Sequence, residues 1–204
     1  MIAIIDYGVG NLRSVEKALR AVGADASVTS DIGLVREAGK IVLPGVGAFG
    51  ECSRRLRESG MDRPVLEAAE QGKLVLGLCV GLQLMFDEGY EFGVHPGLGL
   101  MRGRVVRFPE GGPRVPQIGW NQVEEVRAHP LTVDLQDGTY FYFVHSYHVE
   151  ADDPSDVIAT TEYGKRFASI CGRGPICGVQ FHPEKSQDAG LKLLANFARA
   201  AAVG

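Results

Sequence analysis

Long apolar runs are missing from this sequence: none of its apolar stretches approaches the ~18 residues that a membrane-crossing helix needs. Clusters of like charge are missing too. Lys and Arg total 21 against 25 Asp and Glu, the formal net charge is −4, and no basic run stands out. A mildly acidic chain of this kind lacks the electrostatic footprint of a nucleic-acid or membrane-surface binder. The opening residues MIAIIDYGVGN carry neither a basic segment nor a long apolar core, so no signal peptide is expected. Cysteine is scarce, with four among 204 residues: Cys52, Cys79, Cys171 and Cys177. A chain of this length can build a core without disulfide staples, so free thiols in a reducing, cytoplasmic setting are expected. With no repeats, low-complexity tracts or linker-like segments, residues 1–204 are expected to form one domain.

What is present is a change of periodicity along the chain. In the first half, residues 2–5, 25–29, 40–43 and 73–78 read as short apolar strands. Between them, residues 48–58 and 63–71 read as helices, and 80–87 as the start of another. A further helix begins after Asn11, a plausible N-cap, with Leu12, Val15, Leu19 and Val22 on one face. Apolar, non-alternating strands separated by helices predict a parallel sheet covered on both faces. From about 97 to 181 the period is nearer two, and turn residues at 111–113, 129–130, 137–138 and 152–154 punctuate it. This predicts antiparallel strands added to the same sheet. A last amphipathic helix is expected from about 187 to 202. The fold class expected is therefore α/β, an open and mostly parallel sheet flanked by helices, with antiparallel additions in the second half.

Three segments could carry chemistry. Gly45-Val46-Gly47-Ala48-Phe49-Gly50 has the form G-x-G-x-x-G between a strand and a helix, the pattern of a dinucleotide site. It belongs to the third strand rather than the first, Pro44 stiffens its entry, and the first turn, Gly8-Val9-Gly10, has Arg13 at its third-glycine position. These features disfavour nucleotide binding and leave a Gly-rich turn, or a turn whose N–H groups face an anion. Gly77-Leu78-Cys79-Val80-Gly81 has the form of a nucleophile elbow with cysteine in place of serine. The helix after it would favour a thiolate at Cys79, and the Val80 N–H would face a developing oxyanion. Taken alone, the elbow does not separate a nucleophile from a buried structural cysteine. His182-Pro183-Glu184 follows the apolar strand 176–181, so His182 and Cys79 both fall at the carboxyl edge where open α/β sheets bind ligands. In extended backbone His182 and Glu184 point the same way, so the carboxylate can orient the imidazole toward Cys79. The pairs His95-Pro96 and His129-Pro130 lack the acid and read as structural turns.

Together these residues resemble class I glutamine amidotransferases, in which G-L-C-V-G-L-Q at 77–83 matches the nucleophile segment and H-P-E at 182–184 the His–Glu pair. D-Y-G-V-G-N-L at 6–12, P-G-V-G at 44–47, I-G-W-N at 118–121, F-V-H-S-Y at 143–147 and H-P-E-K-S at 182–186 extend the resemblance over almost the whole chain. They resemble one branch in particular, the glutaminase subunits of histidine biosynthesis that serve a separate (βα)8-barrel cyclase. The resemblance implies a Cys79–His182–Glu184 triad that releases ammonia from glutamine. It implies an oxyanion hole from Val80 with Val46 and Gly47, in a turn that reorients for activity. Gly47, Gln83, His145, Ser146 and Tyr147 would hold glutamine. Asn11, Trp120, Asn121, Tyr142 and Lys185 would face the cyclase; without the resemblance Trp120 reads as core and Lys185 as a solvated charge. No metal or organic cofactor is implied. The rivals are a glutaminase subunit of another synthase, such as pyridoxal phosphate synthase, a catalytically silent interaction protein of the same fold, and a dinucleotide-binding oxidoreductase.

Overall fold

A computed structural model of the chain describes residues 1–201. The first half alternates β1 (Ile2–Ile5), α1 (Leu12–Ala21), β2 (Ala26–Thr29), α2 (Ile32–Glu37), β3 (Lys40–Leu43), α3 (Phe49–Glu58), α4 (Asp62–Glu70), β4 (Leu74–Leu78) and α5 (Val80–Leu84). The second half is mostly strands: β5 (Glu88–Gly89), β6 (His95–Pro96), β7 (Gly103–Arg107), β8 (Gln117–Val123), β9 (Thr139–His145), β10 (Tyr147–Ala151), β11 (Val157–Glu162), β12 (Arg166–Arg173) and β13 (Ile176–Val179), followed by α6 (Gln187–Arg199). The main sheet runs β2-β1-β3-β4-β13-β12-β10-β7-β5-β6, with β11 paired to β12. Strands β1 to β4 and β13 are mutually parallel, while β12, β10 and β7 are antiparallel additions. The mixed open sheet expected from the two periodicities is the one present.

The strands alternate between two cores. Ala3, Ile5, Val75 and Val105 face a cluster built with Val35 of α2, Phe49 and Leu56 of α3, Val65 of α4 and Leu82 of α5. Ile2, Ile4, Leu76 and Val179 face the other, built with Val15 and Leu19 of α1 and Leu193, Leu194 and Phe197 of α6. Both faces of the parallel strands are covered, which is why they read as unbroken apolar runs.

Five expectations need correction. Strands β8 and β9 do not extend the main sheet; they form a separate two-stranded ribbon. Phe141 and Phe143 of β9 are fully buried and pack on Phe181, laying the ribbon over the α1–α6 side of the sheet. Burial of an aromatic of this size contributes roughly 1.5–3 kcal/mol, enough to draw the ribbon off the edge and onto the face. Helix α5 stops at Leu84 instead of running to 87, because the carbonyls of Leu84, Met85 and Phe86 accept from the N–H groups of Leu98, Leu100 and Gly99 rather than from a next helical turn. His95-Pro96 is a short strand, not a turn, whereas His129-Pro130 is the turn expected, His129 capping a 3-10 turn by accepting from the Leu131 N–H at 3.1 Å. Helix α6 ends at Arg199; residue 202, where its end was expected, lies outside the described residues. The Asn11 side chain makes no capping hydrogen bond at α1.

Candidate active site

The adjacency of β3, β4 and β13 brings three distant segments to one edge. Leu43 pairs with Gly77, and Leu78 with Val179, so the turn after β3, Cys79 after β4 and His182 after β13 emerge side by side. The Cys79 N–H donates to the Val179 carbonyl at 2.8 Å, which extends the ladder by one step past the strand. There the chain bends sharply. Cys79 has φ 53° and ψ −112°, a conformation that L-residues rarely adopt and that costs about 1–3 kcal/mol unless its surroundings enforce it. Gly81 enforces it: a Cβ there would lie 1.9 Å from the Leu43 carbonyl oxygen, so only glycine lets the elbow press against β3. As the first residue of α5, Val80 has no intrahelical acceptor for its N–H. With only the five residues Val80–Leu84, α5 offers a smaller dipole to Cys79 than the longer helix read from the sequence.

The HPEKS loop is knitted to the ribbon. The His182 N–H donates to the Tyr142 carbonyl at 2.9 Å, and the Ser186 hydroxyl donates to the His182 carbonyl at 2.7 Å while accepting from the Tyr142 N–H at 3.0 Å. His182 Nδ1 lies 3.0 Å from a Glu184 carboxylate oxygen, with the two side chains 7% and 2% exposed. Burial disfavours the charged ring, but the Cys79 sulfur on one side and the Glu184 carboxylate on the other outweigh it and push His182 up to about 10. An imidazolium at neutral pH is the state from which a proton can be given to a leaving amine.

Cys79 and His182 line a cleft of about 730 Å³. The same cleft collects Val46, Gly47, Val80, Gln83, His145, Ser146 and Tyr147, together with Asn11 and Lys185. Glu184 stands behind His182 and does not line the cleft; Trp120, Asn121 and Tyr142 lie outside it. Trp120 is 46% exposed, its ring 6.0 Å from that of Tyr142, and the Lys185 ammonium sits 5.9 Å from the Tyr142 ring. These three side chains form one surface cluster on the ribbon and the HPEKS loop. Asn121 is tied down within the fold, donating to the Glu162 carbonyl at 2.9 Å.

The turn after β3 is exposed at Val46 and Gly47, and Gly47 has φ 110°. Its flanks are fastened from below: the Tyr7 hydroxyl donates to the Pro44 carbonyl at 2.6 Å and the Cys52 thiol to the Val46 carbonyl at 3.5 Å. His145 shapes the wall without offering a free nitrogen. Burial holds it down to about 4, so the ring is neutral. Nδ1 donates to the Tyr147 carbonyl at 2.8 Å, which makes Nε2 an acceptor, so the Gln117 carboxamide end 2.9 Å from it has to be the NH₂ rather than the oxygen. Three features of the site were not legible from motifs. Glu91 places a carboxylate in the cleft, accepting from the Phe49 N–H at 2.7 Å. The Val144 carbonyl lies 3.9 Å from the Cys79 sulfur. Gln180, fully buried, places its carboxamide nitrogen 3.7 Å from the same sulfur. The available signal for Gln180 was a lone amide in the otherwise apolar run ICGVQF.

The architecture matches solved glutamine amidotransferases. One crystal structure of a glutamine amidotransferase covers 98% of this chain and 100% of its own at TM-score 0.76. The Thermotoga maritima PurLQS structure covers 96% of each at TM-score 0.77. Both are 20% identical in sequence, so they speak for the fold. The family model for class-I glutamine amidotransferases matches residues 3–201. The imidazole glycerol phosphate synthase subunit HisH of Symbiobacterium thermophilum is 52% identical over 97% of this chain and 93% of its own length. That of Salinibacter ruber is 51% identical over 97% and 94%. The chain belongs to the class-I glutamine amidotransferases and, among them, to the family of HisH subunits.

Proposed function

We propose that this chain is the glutaminase subunit of imidazole glycerol phosphate synthase. It hydrolyses the side-chain amide of glutamine to glutamate and ammonia and hands the ammonia to a (βα)8-barrel cyclase subunit. The observation that carries the reading is Cys79 held at a strained elbow beside a buried His182–Glu184 pair, in a chain 52% identical to a HisH subunit.

Glutamine enters the cleft with its side-chain carbonyl over Cys79, amid Gly47, Gln83, Ser146 and Tyr147, with His145 as wall. Glu91 supplies the negative charge that the α-ammonium group requires. The Cys79 sulfur attacks the amide carbon, and the oxyanion that forms is met by the Val80 N–H and the Val46–Gly47 turn; losing one such donor typically costs about 10²–10³ in rate. His182 gives its proton to the departing ammonia, and the C–N bond breaks to leave a glutamyl thioester. The now neutral ring takes a proton from water, whose oxygen attacks the thioester, releasing glutamate and restoring the thiolate and the imidazolium. Glu184 holds the ring in one orientation throughout. The ammonia joins a phosphoribulosyl intermediate on the cyclase, giving imidazole glycerol phosphate and an aminoimidazole carboxamide ribotide in histidine biosynthesis. Asn11, Trp120, Asn121, Tyr142 and Lys185 form the docking face for the cyclase. The setting is cytoplasmic; among the described residues no helix is long and apolar enough to cross a membrane.

Cys79→Ala tests the reading. In complex with the cyclase, the variant loses glutamine-dependent synthesis and keeps synthesis from added ammonium salt. Release of glutamate at a rate near that of the unaltered chain would falsify the assignment of Cys79.

A further inference from the structure

We infer that Gln180 is a further residue of the hydrolytic site: its buried side-chain amide donates a hydrogen bond to the Cys79 sulfur, favours the thiolate and fixes its direction of attack. The inference deepens the reading of Cys79 as nucleophile and rests on it.

Strand register puts the two residues side by side. Leu78 pairs with Val179, and Cys79 and Gln180 are the next residues along β4 and β13. Gln180 is fully buried. A buried carboxamide left unpaired costs about 1–3 kcal/mol, so the position demands partners. They are present, and they fix which way the amide points. The Tyr147 backbone carbonyl can only accept, so the Gln83 group 3.0 Å from it is the NH₂. The second hydrogen of that NH₂ reaches the Gln180 carboxamide oxygen, also at 3.0 Å. The opposite end of Gln180 is then its own NH₂, and that end lies 3.7 Å from the Cys79 sulfur. A backbone carbonyl thus sets the orientation of two consecutive amides, ending on the nucleophile.

The sulfur sits between opposed influences. The Val144 carbonyl, 3.9 Å away, is an acceptor that suits a thiol and repels a thiolate. The Gln180 donor does the reverse, since a hydrogen bond to the charged form favours it. The titratable groups interacting with the Cys79 sulfur are His182 from the loop after β13, with Glu184 behind it, Tyr7 after β1 and Cys52 on α3; Glu51 and Arg55 of α3, Glu91 after β5, His145 at the end of β9, Tyr147 of β10 and Lys185 line the same cleft. Of the groups in hydrogen-bond contact with the sulfur, His182 is the one that carries positive charge at neutral pH, and it gives its proton away during each turnover. Gln180 is the neighbour whose support for the thiolate does not change when His182 discharges.

The test is the pH dependence of Cys79 carbamidomethylation by iodoacetamide in the full chain, followed by mass spectrometry of the Cys79 peptide. The remaining thiols do not compete near neutrality: burial pushes Cys52 up to about 11 and Cys177 up to about 12, and raises Cys171 as well. Gln180→Met keeps the bulk and removes the donor. Its alkylation midpoint moves up by about one pH unit, a roughly tenfold slower reaction near neutral pH that recovers at high pH. A rate lowered equally at every pH, with an unmoved midpoint, is what loosened packing alone produces, and it overturns the inference. If the Met variant does not fold, Gln180→Glu, which keeps an oxygen toward Gln83, carries the same expectation of an upward shift and is overturned in the same way. In the unsubstituted chain one Gln180 side-chain amide proton titrates in NMR spectra with the alkylation midpoint; resonances indifferent to both pH and alkylation overturn the inference without any variant. Cys79→Ala separates the two claims. Retained glutaminase in that variant removes the nucleophile and Gln180 together, whereas an inactive Cys79→Ala beside an unshifted Gln180→Met removes Gln180 alone.

Discussion

The backbone of Tyr142 is hydrogen-bonded to the backbone of His182, the His182 N–H donating to the Tyr142 carbonyl at 2.9 Å, so the exposed ribbon and the residue proposed to move protons share one bond. Ser186 doubles this link, bridging the His182 carbonyl and the Tyr142 N–H through its hydroxyl. A ligand or protein that shifts the Trp120–Tyr142 surface by a fraction of an ångström therefore pulls directly on the loop that carries His182 and Glu184.

Ser186→Ala removes both side-chain bonds of that bridge while leaving the backbone bond. Ser186 is 1% exposed, and losing buried hydrogen bonds of this kind costs about 1–3 kcal/mol. The expected result is a lower melting temperature together with kcat for glutamine hydrolysis reduced about tenfold, because His182 is less well aimed. Steady-state kinetics and a thermal melt read the two effects; an unchanged kcat with a lowered melting temperature would show that the bridge serves stability alone.

The raised value at His182 gives stability a pH slope with a definite sign. Its ordinary value is 6.5, and in the folded chain it is pushed up to about 10. The folded state binds the proton more tightly, so this contribution is complete below about 6.5 and is lost as pH rises through about 10. Urea unfolding free energy is expected to fall across that window, and Glu184→Gln is expected to flatten the fall by weakening the hold on the proton. A Glu184→Gln variant with the same slope as the unsubstituted chain would mean that Glu184 does not support the charge.

Trp120→Ala tests the docking face apart from the chemistry. The side chain is 46% exposed, so the free chain should melt within a few degrees of the unsubstituted one. Large aromatic side chains at the centre of a protein interface commonly carry more than about 2 kcal/mol, so affinity for the cyclase should fall at least roughly tenfold. Surface plasmon resonance with the immobilised cyclase measures it, and undiminished binding would move the interface elsewhere.

Much of the parallel half was legible because strands buried on both faces leave an unmistakable trace: IAII, KIVL and LVLGL have no polar face to alternate with. Helix α2 went unread because six residues, Ile32–Glu37, are too few for a helical period, although Asp31 caps them by accepting from Gly33 and Leu34. The separate ribbon was hidden for a different reason. Alternation in β9 shows that one face is buried, with Phe141 and Phe143 inside and Tyr140 outside, but not which core buries it. The elbow and the His182-Pro183-Glu184 turn could be placed at one edge from strand order alone. Gln180, Glu91 and the Val144 carbonyl could not: Gln180 meets Cys79 through the β4–β13 register, Val144 through the separate ribbon laid over the sheet, and Glu91 through its contact with the Phe49 N–H at the start of α3.

The left-handed bend at Cys79 has a consequence for the history of such chains. Glycine would occupy φ 53° and ψ −112° at far lower cost than cysteine, and the sulfur that justifies the expense earns nothing once turnover is no longer required. A duplicated copy released from catalysis would gain stability by exchanging Cys79 for glycine while keeping the fold and the ribbon. Loss of activity in this lineage is therefore expected to be written first at the elbow, as a gain in robustness rather than as decay.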